Sequence, residues 1–300
     1  MSDRAPALPE GYVLRRGRRG VLVAREELVE GLIELGFGPD GTAPPPSPDL
    51  SGRGRLGELQ LAGERLVVRR YTHGGLLRWL TGARFADPGR PLHELELAER
   101  LLRAGIPTLR VVATRTQRAP GFGFHLELVT RRLEGVHDLA EWLESLRAGE
   151  VGVAERRRVF EACGELVGRL HAQGFLHADL HPRNVLMDAQ GELLVIDLDR
   201  SRFTERLDDG ERRDNLRRLL RAVLRREERG RRFLSRADLR RFLRGYARGL
   251  GQAASDWRTD WRAIERDRRR NALWHRLGWW AEGSLAGGPG RRDGRASVRS

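Results

Sequence analysis

The stretch from His177 to Arg200 constrains this chain more than any other. It holds two polar clusters separated by apolar runs. The first is a His-Ala-Asp triplet that ends at Asp179, with Asn184 five residues later, and the second is an Asp-Leu-Asp triplet that starts at Asp197. Residues 188–191 have the composition of a tight turn, because Asp and Gly tolerate the dihedral angles of a hairpin. The stretch therefore predicts a loop, a strand at 185–187, a turn, and a strand that ends at Asp197.

A hairpin of this length brings Asn184 and Asp197 to the same end. Their oxygen atoms can share a hard cation such as Mg2+, while Asp179 stays free to accept a proton. The pattern H-x-D-x-x-x-x-N followed by D-x-x is similar to the catalytic pattern of protein kinases. A surface loop whose polar residues cap and turn the chain is the alternative. Four such residues at this spacing, with apolar strands between them, favour the kinase interpretation.

Length and charge limit the class of protein. A chain of 300 residues suits one large domain or two lobes with a cleft. All 56 basic residues are arginine, and the formal net charge is +14. This charge fits nucleic acid, an anionic membrane surface or an anionic substrate, and a GC-rich coding bias also produces it. The arginines are dispersed and often adjoin acidic residues, which argues against a nucleic-acid partner.

The single cysteine, Cys163, lies in a helical pattern and cannot form an internal disulfide. This indicates a reducing compartment, and a small core residue is the expected role. No segment approaches the ~18 apolar residues that cross a bilayer. Residues 1–10 have no apolar run and do not resemble a signal peptide. We expect an intracellular protein, soluble or peripheral on a membrane.

A glycine-rich run, G-x-G-x-x-G, places Gly52, Gly54 and Gly57 before two strand-like runs at 58–61 and 65–71. Alone this motif is weakly specific. Its context is strand–turn–strand, which differs from the strand–turn–helix of a dinucleotide-binding fold. A glycine hairpin lets backbone N–H groups lie over phosphates without an intervening side chain.

Arg69 follows Leu-Val-Val and occupies the place of the lysine in the kinase V-A-I-K motif. A guanidinium can bridge phosphate oxygens, although it is bulkier than an ammonium. The next predicted helix, 91–104, starts at a proline and stops before Gly-Ile-Pro. Its Glu94 and Glu96 are candidate partners for Arg69. The alternative is that these are solvent-facing charges on a strand and a helix.

The rest of the chain shows patterns typical of both strands and helices. We expect strands at 12–14, 109–114 and 122–131, and helices at 25–35, from 138 onward, at 155–173 and throughout the Arg-rich region after 200. These elements predict an α+β, bilobal, protein-kinase-like fold with a small β-rich N-lobe and a mainly helical C-lobe. The predicted divisions are an N-terminal arm (1–20), the N-lobe (21–131), the C-lobe (132–282) and a disordered tail (283–300).

The span from about 52 to 202 resembles the bacterial lipopolysaccharide kinase family, which includes the 3-deoxy-D-manno-octulosonic acid (Kdo) kinases. Residues 67–76 are similar to a strand of that family that carries Arg at the lysine position, then Tyr and Gly-Gly. Residues 94–107 resemble its glutamate helix and turn, and 197–200 its D-F-D-R, with Leu for Phe. Residues 181–183 depart from it and are more like the D-L-H-P-x-N of antibiotic and small-molecule kinases, which leaves the acceptor open.

The resemblance implies transfer of phosphate from ATP, with Mg2+, to the 4-hydroxyl of Kdo on a lipid A precursor. It also implies peripheral contact with the anionic cytoplasmic face of the inner membrane. It favours Glu94 as the partner of Arg69. The predicted site comprises Asp179 as catalytic base, Gly52, Gly54, Gly57, Arg69 and Glu94 around ATP, and Asn184 and Asp197 on the metal.

Three other functions stay open at the level of sequence. One is a kinase for another small molecule, such as an aminoglycoside, or for a protein. Another is a kinase-fold scaffold without turnover, which Arg69 favours and the intact Asp179, Asn184 and Asp197 oppose. A nucleic-acid binder is the third. The sequence makes no prediction of oligomeric state.

Overall fold

A computed structural model describes residues 8–47, 56–72, 83–225, 234–252 and 262. Its first part contains a six-stranded antiparallel sheet, whose strands in chain order are β1 (Tyr12–Arg16), β2 (Gly20–Arg25), β3 (Leu56–Leu61), β4 (Glu64–Arg70), β5 (Val111–Arg118) and β6 (Phe124–Arg131). Their spatial order is β1-β2-β5-β6-β4-β3. The strand predicted at 12–14, within the segment proposed as an N-terminal arm, is found as β1 at the edge of this sheet. The proposed domain boundaries stay a prediction.

Strand β4 shows how the alternation of side chains places Arg69. Leu66 and Val68 point to one face of the sheet and are fully buried, so Arg69 projects from the opposite face. In the paired strands, Arg69 lies opposite Leu56 of β3 and Leu128 of β6. A central position between two strands fixes the backbone of Arg69 on both sides.

One face of the sheet is covered by the segment between β2 and β3. The sequence predicts a single helix at 25–35. The structure has a 3-10 turn (Glu26–Leu28), a short helix α1 (Val29–Leu32) and a π-helical turn (Ile33–Phe37). Leu32 and Phe37 of this segment are buried in one cluster with Leu66.

The other face is covered by helix α2 (Arg90–Arg103), which carries proline in its first turn. Leu95 and Leu101 are fully buried in a cluster with Leu126 and Leu128 of β6. Glu94 lies on the same helix face and is also buried. A carboxylate in this position requires a polar partner, since burial of an unpaired charge is costly.

The second part of the chain is mainly helical. Its helices are α3 (Leu139–Ala148), α4 (Val153–Ala172), α5 (Asp209–Leu224) and α6 (Arg236–Gly249). Its strands are β7 (His137–Asp138), β8 (Phe175–Leu176), β9 (Val185–Met187), β10 (Leu193–Val195) and β11 (Arg202–Phe203), which form sheets β10-β9-β7 and β11-β8. A sheet-rich part followed by a helical part confirms the predicted α+β class.

Helices α4 and α6 cross in backbone contact through two glycines on each helix. A Cβ at Gly164 would lie 1.9 Å from the carbonyl oxygen of Phe242, and one at Gly168 would lie 2.3 Å from that of Tyr246. A Cβ at Gly245 would lie 2.0 Å from the carbonyl oxygen of Glu161. Because real Cβ atoms do not approach so closely, the crossing requires glycine on both helices.

Some predictions fall outside the described residues. These are the glycines Gly52 and Gly54, the helical pattern beyond 253 and the tail at 283–300. Among the helices that the structure describes, none combines the length and apolar character needed to cross a membrane.

Candidate active site

The hairpin predicted from the central stretch is confirmed. Strands β9 and β10 are antiparallel, with Val185 opposite Val195. One residue further along, the Ile196 N–H donates to the Asn184 carbonyl oxygen at 3.0 Å. Asn184 and Asp197 therefore lie at the same end of the hairpin.

His177 joins the loop before this hairpin to the strand after it. Its Nδ1 accepts a hydrogen bond from the Asp179 N–H at 3.1 Å, so its proton lies on Nε2. That Nε2 donates to the Ile196 carbonyl oxygen at 3.0 Å. Burial lowers the pKa of His177, which keeps the imidazole neutral and able to accept at Nδ1. One buried ring thus holds the backbone at Asp179 close to the residue before Asp197.

Asn184 is buried and its side chain is fixed by the same loop. Its Nδ2 donates to the Asp179 backbone carbonyl at 2.9 Å, which leaves Oδ1 available for a cation. Asp197 is 42% exposed and has a left-handed backbone with φ of 60°. The donor set fits Mg2+, which takes one or two protein oxygens and completes its octahedron with phosphates and water.

The carboxylate of Asp179 has a polar contact on each oxygen. His181 Nδ1 accepts from the Arg183 N–H at 3.1 Å, so His181 donates from Nε2 to Asp179 Oδ2, at 3.2 Å. On the other oxygen, Arg218 Nη1 lies 3.9 Å from Oδ1. Sequence reasoning assigned no role to His181 or Arg218. The His-Pro-Arg-Asn sequence next to Asp179 could have indicated a role for His181. Arg218 lies on α5, and nothing in the sequence predicts that this helix packs beside the loop.

Arg69 forms ion pairs with two carboxylates. Its Nη2 donates to both oxygens of Glu94 at 2.6 Å, and its Nη1 donates to Asp197 Oδ1 at 3.0 Å. Burial opposes the charge on Arg69, but Glu94, Tyr71 and Asp197 outweigh it and raise the pKa of Arg69. The structure thus brings together Arg69 and Glu94, which the sequence paired, and their role in nucleotide binding stays a prediction.

Tyr71 and Arg90 complete this cluster and were not predicted as site residues. The Tyr71 hydroxyl donates to Glu94, and the guanidinium groups of Arg69 and Arg90 lie 4.7 Å and 5.6 Å from the centre of its ring. Arg90 donates to both carboxylate oxygens of Asp199. Asp199 therefore has an arginine donor on both oxygens, whereas Asp197 accepts from Arg69 on Oδ1 only, so Asp197 is the better candidate for a metal ligand.

Gly57 has a packing reason to be glycine. It pairs with Val68 in the sheet, and a Cβ there would lie 2.7 Å from Pro44 Cγ and 3.2 Å from the carbonyl oxygens of Pro44 and Pro45. The proline-rich connector thus crosses directly over it. The predicted role of Gly57 in covering phosphates stays a prediction, together with those of Gly52 and Gly54.

A chain of buried polar side chains supports the loop that carries Asp179. Asn215 of α5 donates from Nδ2 to the His177 carbonyl oxygen at 2.7 Å. Its Oδ1 accepts from His171 Nε2 at 3.1 Å, and His171 Nδ1 accepts from the Tyr246 hydroxyl at 2.9 Å. Burial lowers the pKa of His171 to about 4, so the ring is neutral at physiological pH. Three helices are thus connected by hydrogen bonds to the loop that carries Asp179.

Taken with the fold, these contacts define a protein of the bilobal, kinase-like phosphotransferase class. A solved structure described as "WaaP in complex with acyl carrier protein" has this fold, with a TM-score of 0.56 and 23% identity over 84% of this chain and 98% of that one. The two are alike in architecture across almost the whole of that protein.

The chain belongs to the lipopolysaccharide kinase (Kdo/WaaP) family, whose profile matches residues 52–246. A 3-deoxy-D-manno-octulosonic acid kinase of Xanthomonas axonopodis pv. citri is 32% identical over 221 residues, which cover 70% of this chain and 82% of that protein. A protein of the same name from Vibrio parahaemolyticus is 28% identical over 57% of this chain and 70% of its own. The family resemblance inferred from the motifs is confirmed.

Proposed function

We propose that this protein is an ATP-dependent kinase that phosphorylates the 4-hydroxyl of a Kdo residue on a lipid A precursor, in lipopolysaccharide core biosynthesis. Family membership and the similarity to Kdo kinases support the reaction class and the sugar. The observation that carries the proposal is the position of Asp179, Asn184 and Asp197, which His177 and the hairpin bring to one end of the same small element.

In this proposal Asp179 accepts the proton of the acceptor hydroxyl while the hydroxyl oxygen bonds to the γ-phosphorus of ATP. The bond from that phosphorus to the β-phosphate oxygen breaks, and ADP leaves. The His181 N–H on Oδ2 orients the carboxylate, so that Oδ1 faces the acceptor. The hydrogen bond from the Asp179 N–H to His177 holds the backbone that carries this carboxylate. Asp179 is half exposed, which is consistent with access for a sugar.

Arg69, Asn184 and Asp197 would form the nucleotide side of the site. When bound, ATP supplies the phosphoryl group and Mg2+ offsets the charge on its phosphates. Glu94 holds Nη2 of Arg69, so Nη1 can turn from Asp197 to a phosphate oxygen when Asp197 binds Mg2+. Asn184 Oδ1 and the Asp197 carboxylate are the oxygens that would hold Mg2+.

The positive charge of the protein supports an anionic acceptor and a location at the membrane surface. A protein with a net charge of +14 is attracted to an anionic glycolipid and to an anionic leaflet. We therefore place the enzyme at the cytoplasmic face of the inner membrane, in peripheral contact with it.

The test is a mass measurement on Kdo-bearing lipid A precursor after incubation with the protein, ATP and Mg2+. We expect a gain of one phosphate with wild type and none with Asp179→Asn, which keeps the shape of the side chain and removes the base. Glu144→Gln, an exposed carboxylate on α3, is the matched control and should retain activity.

Parallel reactions with an aminoglycoside and with a generic protein acceptor separate the other kinase functions. Transfer to either of these but not to the Kdo lipid would replace the acceptor in this proposal. If the wild type transfers phosphate to no acceptor and does not hydrolyse ATP, the protein is a scaffold.

A further inference from the structure

An exposed row of three arginines runs along α5 from the catalytic aspartate. Arg218 and Arg221 of α5 and Arg225, the C-cap residue of that helix, lie three and four residues apart, so they share one side of the helix. All three are exposed. At 1.5 Å per residue the row is about 10 Å long. We call it the arginine row.

The row differs in its pairing from the other arginines of the same helix. Elsewhere on α5, arginines form ion pairs with helix aspartates: Arg212 and Arg213 with Asp209, and Arg217 with Asp214. Within the described part of the chain, Arg221 and Arg225 form no such pair. Among the described residues, the carboxylate nearest to Arg218 is that of Asp179, at 3.9 Å with both side chains 52% exposed. A contact of this length and exposure is weak, so nearby carboxylates hardly compensate the positive charge of the row.

The position of the row connects it to the acceptor. Its first member is beside the oxygen of Asp179 that would receive the hydroxyl proton. A molecule with its hydroxyl at that oxygen has its neighbouring groups within reach of Arg218, and a larger one extends toward Arg221 and Arg225. Guanidinium groups bind phosphates and carboxylates through paired N–H donors.

We infer that the arginine row binds the anionic groups that the acceptor lipid carries beyond the sugar that is phosphorylated. The inference rests on the proposed function and adds a determinant of acceptor choice to it. It assigns the row to the acceptor molecule, because a contact with membrane lipid in general has no reason to begin at the catalytic carboxylate.

The first test is kinetic and uses Arg221→Ala/Arg225→Ala, since neither residue contacts the catalytic loop. The ratio of kcat/KM for the diphosphorylated Kdo lipid to kcat/KM for free Kdo should fall about tenfold, which is the loss of ~1.4 kcal/mol of binding. Arg103→Ala/Arg157→Ala removes two exposed arginines from α2 and α4 and should leave the ratio unchanged. An unchanged ratio in the α5 variant overturns the inference.

The second test measures binding alone and does not depend on turnover. Phosphatidylcholine vesicles that contain the Kdo lipid are compared with phosphatidylglycerol vesicles that lack it. The α5 double variant should bind the first about tenfold more weakly than wild type does and the second with undiminished affinity. Equal losses on both would assign the row to the membrane surface and overturn the inference. If the wild type phosphorylates no Kdo acceptor, the proposed function fails. The vesicle comparison still shows whether the arginine row binds the Kdo lipid.

Discussion

At the scale of single residues, Arg69 has a contact geometry that a lysine cannot reproduce. Its two terminal nitrogens bind Glu94 and Asp197 separately, and its flat face stacks on Tyr71. A lysine ammonium is a compact charge without a planar fork or a stacking face. Arg69, at the position where protein kinases have lysine, therefore forms one cluster of contacts with Tyr71.

Arg69→Lys should lower kcat/KM for ATP by about tenfold to a hundredfold. The loss corresponds to one charge-assisted hydrogen bond, ~1.5–3 kcal/mol. Steady-state kinetics with varied ATP measures it. Arg65→Lys, on the same strand and exposed, is the control and should be neutral. Full activity of the Arg69 variant would contradict the role given to the guanidinium fork.

Tyr71→Phe tests the same cluster while keeping the aromatic ring. The variant loses the hydroxyl that donates to Glu94 but retains the surface under both guanidinium groups. Loss of a hydrogen-bond donor to a buried carboxylate lowers the free energy of unfolding by about 1–3 kcal/mol. We expect a measurable drop in the free energy of unfolding in urea and a weaker affinity for ATP by isothermal titration. Retention of both values would show that Arg69 alone fixes Glu94.

At the scale of elements, the crossing of α4 and α6 depends on backbone approach. Gly164→Ala would place a methyl group against the Phe242 carbonyl, and the helices must separate to admit it. We expect destabilisation of about 2 kcal/mol, in the range for overpacking, even though alanine favours helix. Chemical denaturation measures it.

Gly152→Ala is the matched control for that crossing. Its Cβ would meet open space, and it precedes α4 as the N-cap residue. A change below about 1 kcal/mol is expected there. If the two alanine variants were equally stable, close approach would not be what the crossing glycines provide.

The elements differ in how far the sequence determines them. The β9–β10 hairpin was predictable because its turn, strands and polar ends lie within one short stretch. The Arg69–Glu94 pair was predicted from motif spacing and family resemblance. The helix expected at 25–35 was found divided into three turns, with a left-handed glycine, Gly36, near its end.

Contacts between distant segments account for what sequence reasoning missed. Asn215 reaches His177 over 38 residues and Tyr246 reaches His171 over 75. No periodicity or motif encodes such pairs, because each residue looks like an ordinary member of its own helix. The ion pair of Arg90 could not be predicted either, since its partner Asp199 follows 109 residues later.

At the scale of the whole molecule, the buried histidines make stability depend on pH. The unfolded chain protonates His171 near its ordinary pKa of about 6.5. The folded protein does so only near pH 4. Between these values the unfolded state binds more protons, so the free energy of unfolding falls as the pH falls. Burial acts in the same direction on His177.

The expected loss for His171 is about 1.4 kcal/mol per pH unit, or about 3 kcal/mol from pH ~6.5 to pH ~4. Urea unfolding at a series of pH values measures it. His171→Gln keeps hydrogen-bonding capacity without the titration, so its stability should decline less steeply with acid. Identical slopes for both proteins would mean that His171 is not neutral in the fold.

The α4–α6 crossing has a mechanical consequence. Where carbonyl oxygens of one helix rest on the glycines of the other, neither helix can slide or roll without a collision, so the pair moves as one rigid block. His171 and Tyr246 belong to that block. Asn215 connects the block to the backbone of His177 by hydrogen bonds to His171 and to the His177 carbonyl oxygen. Asp179, the proposed proton acceptor, is therefore connected through this chain to two tightly packed helices. We expect any opening and closing of the site during turnover to come from movement on the sheet side.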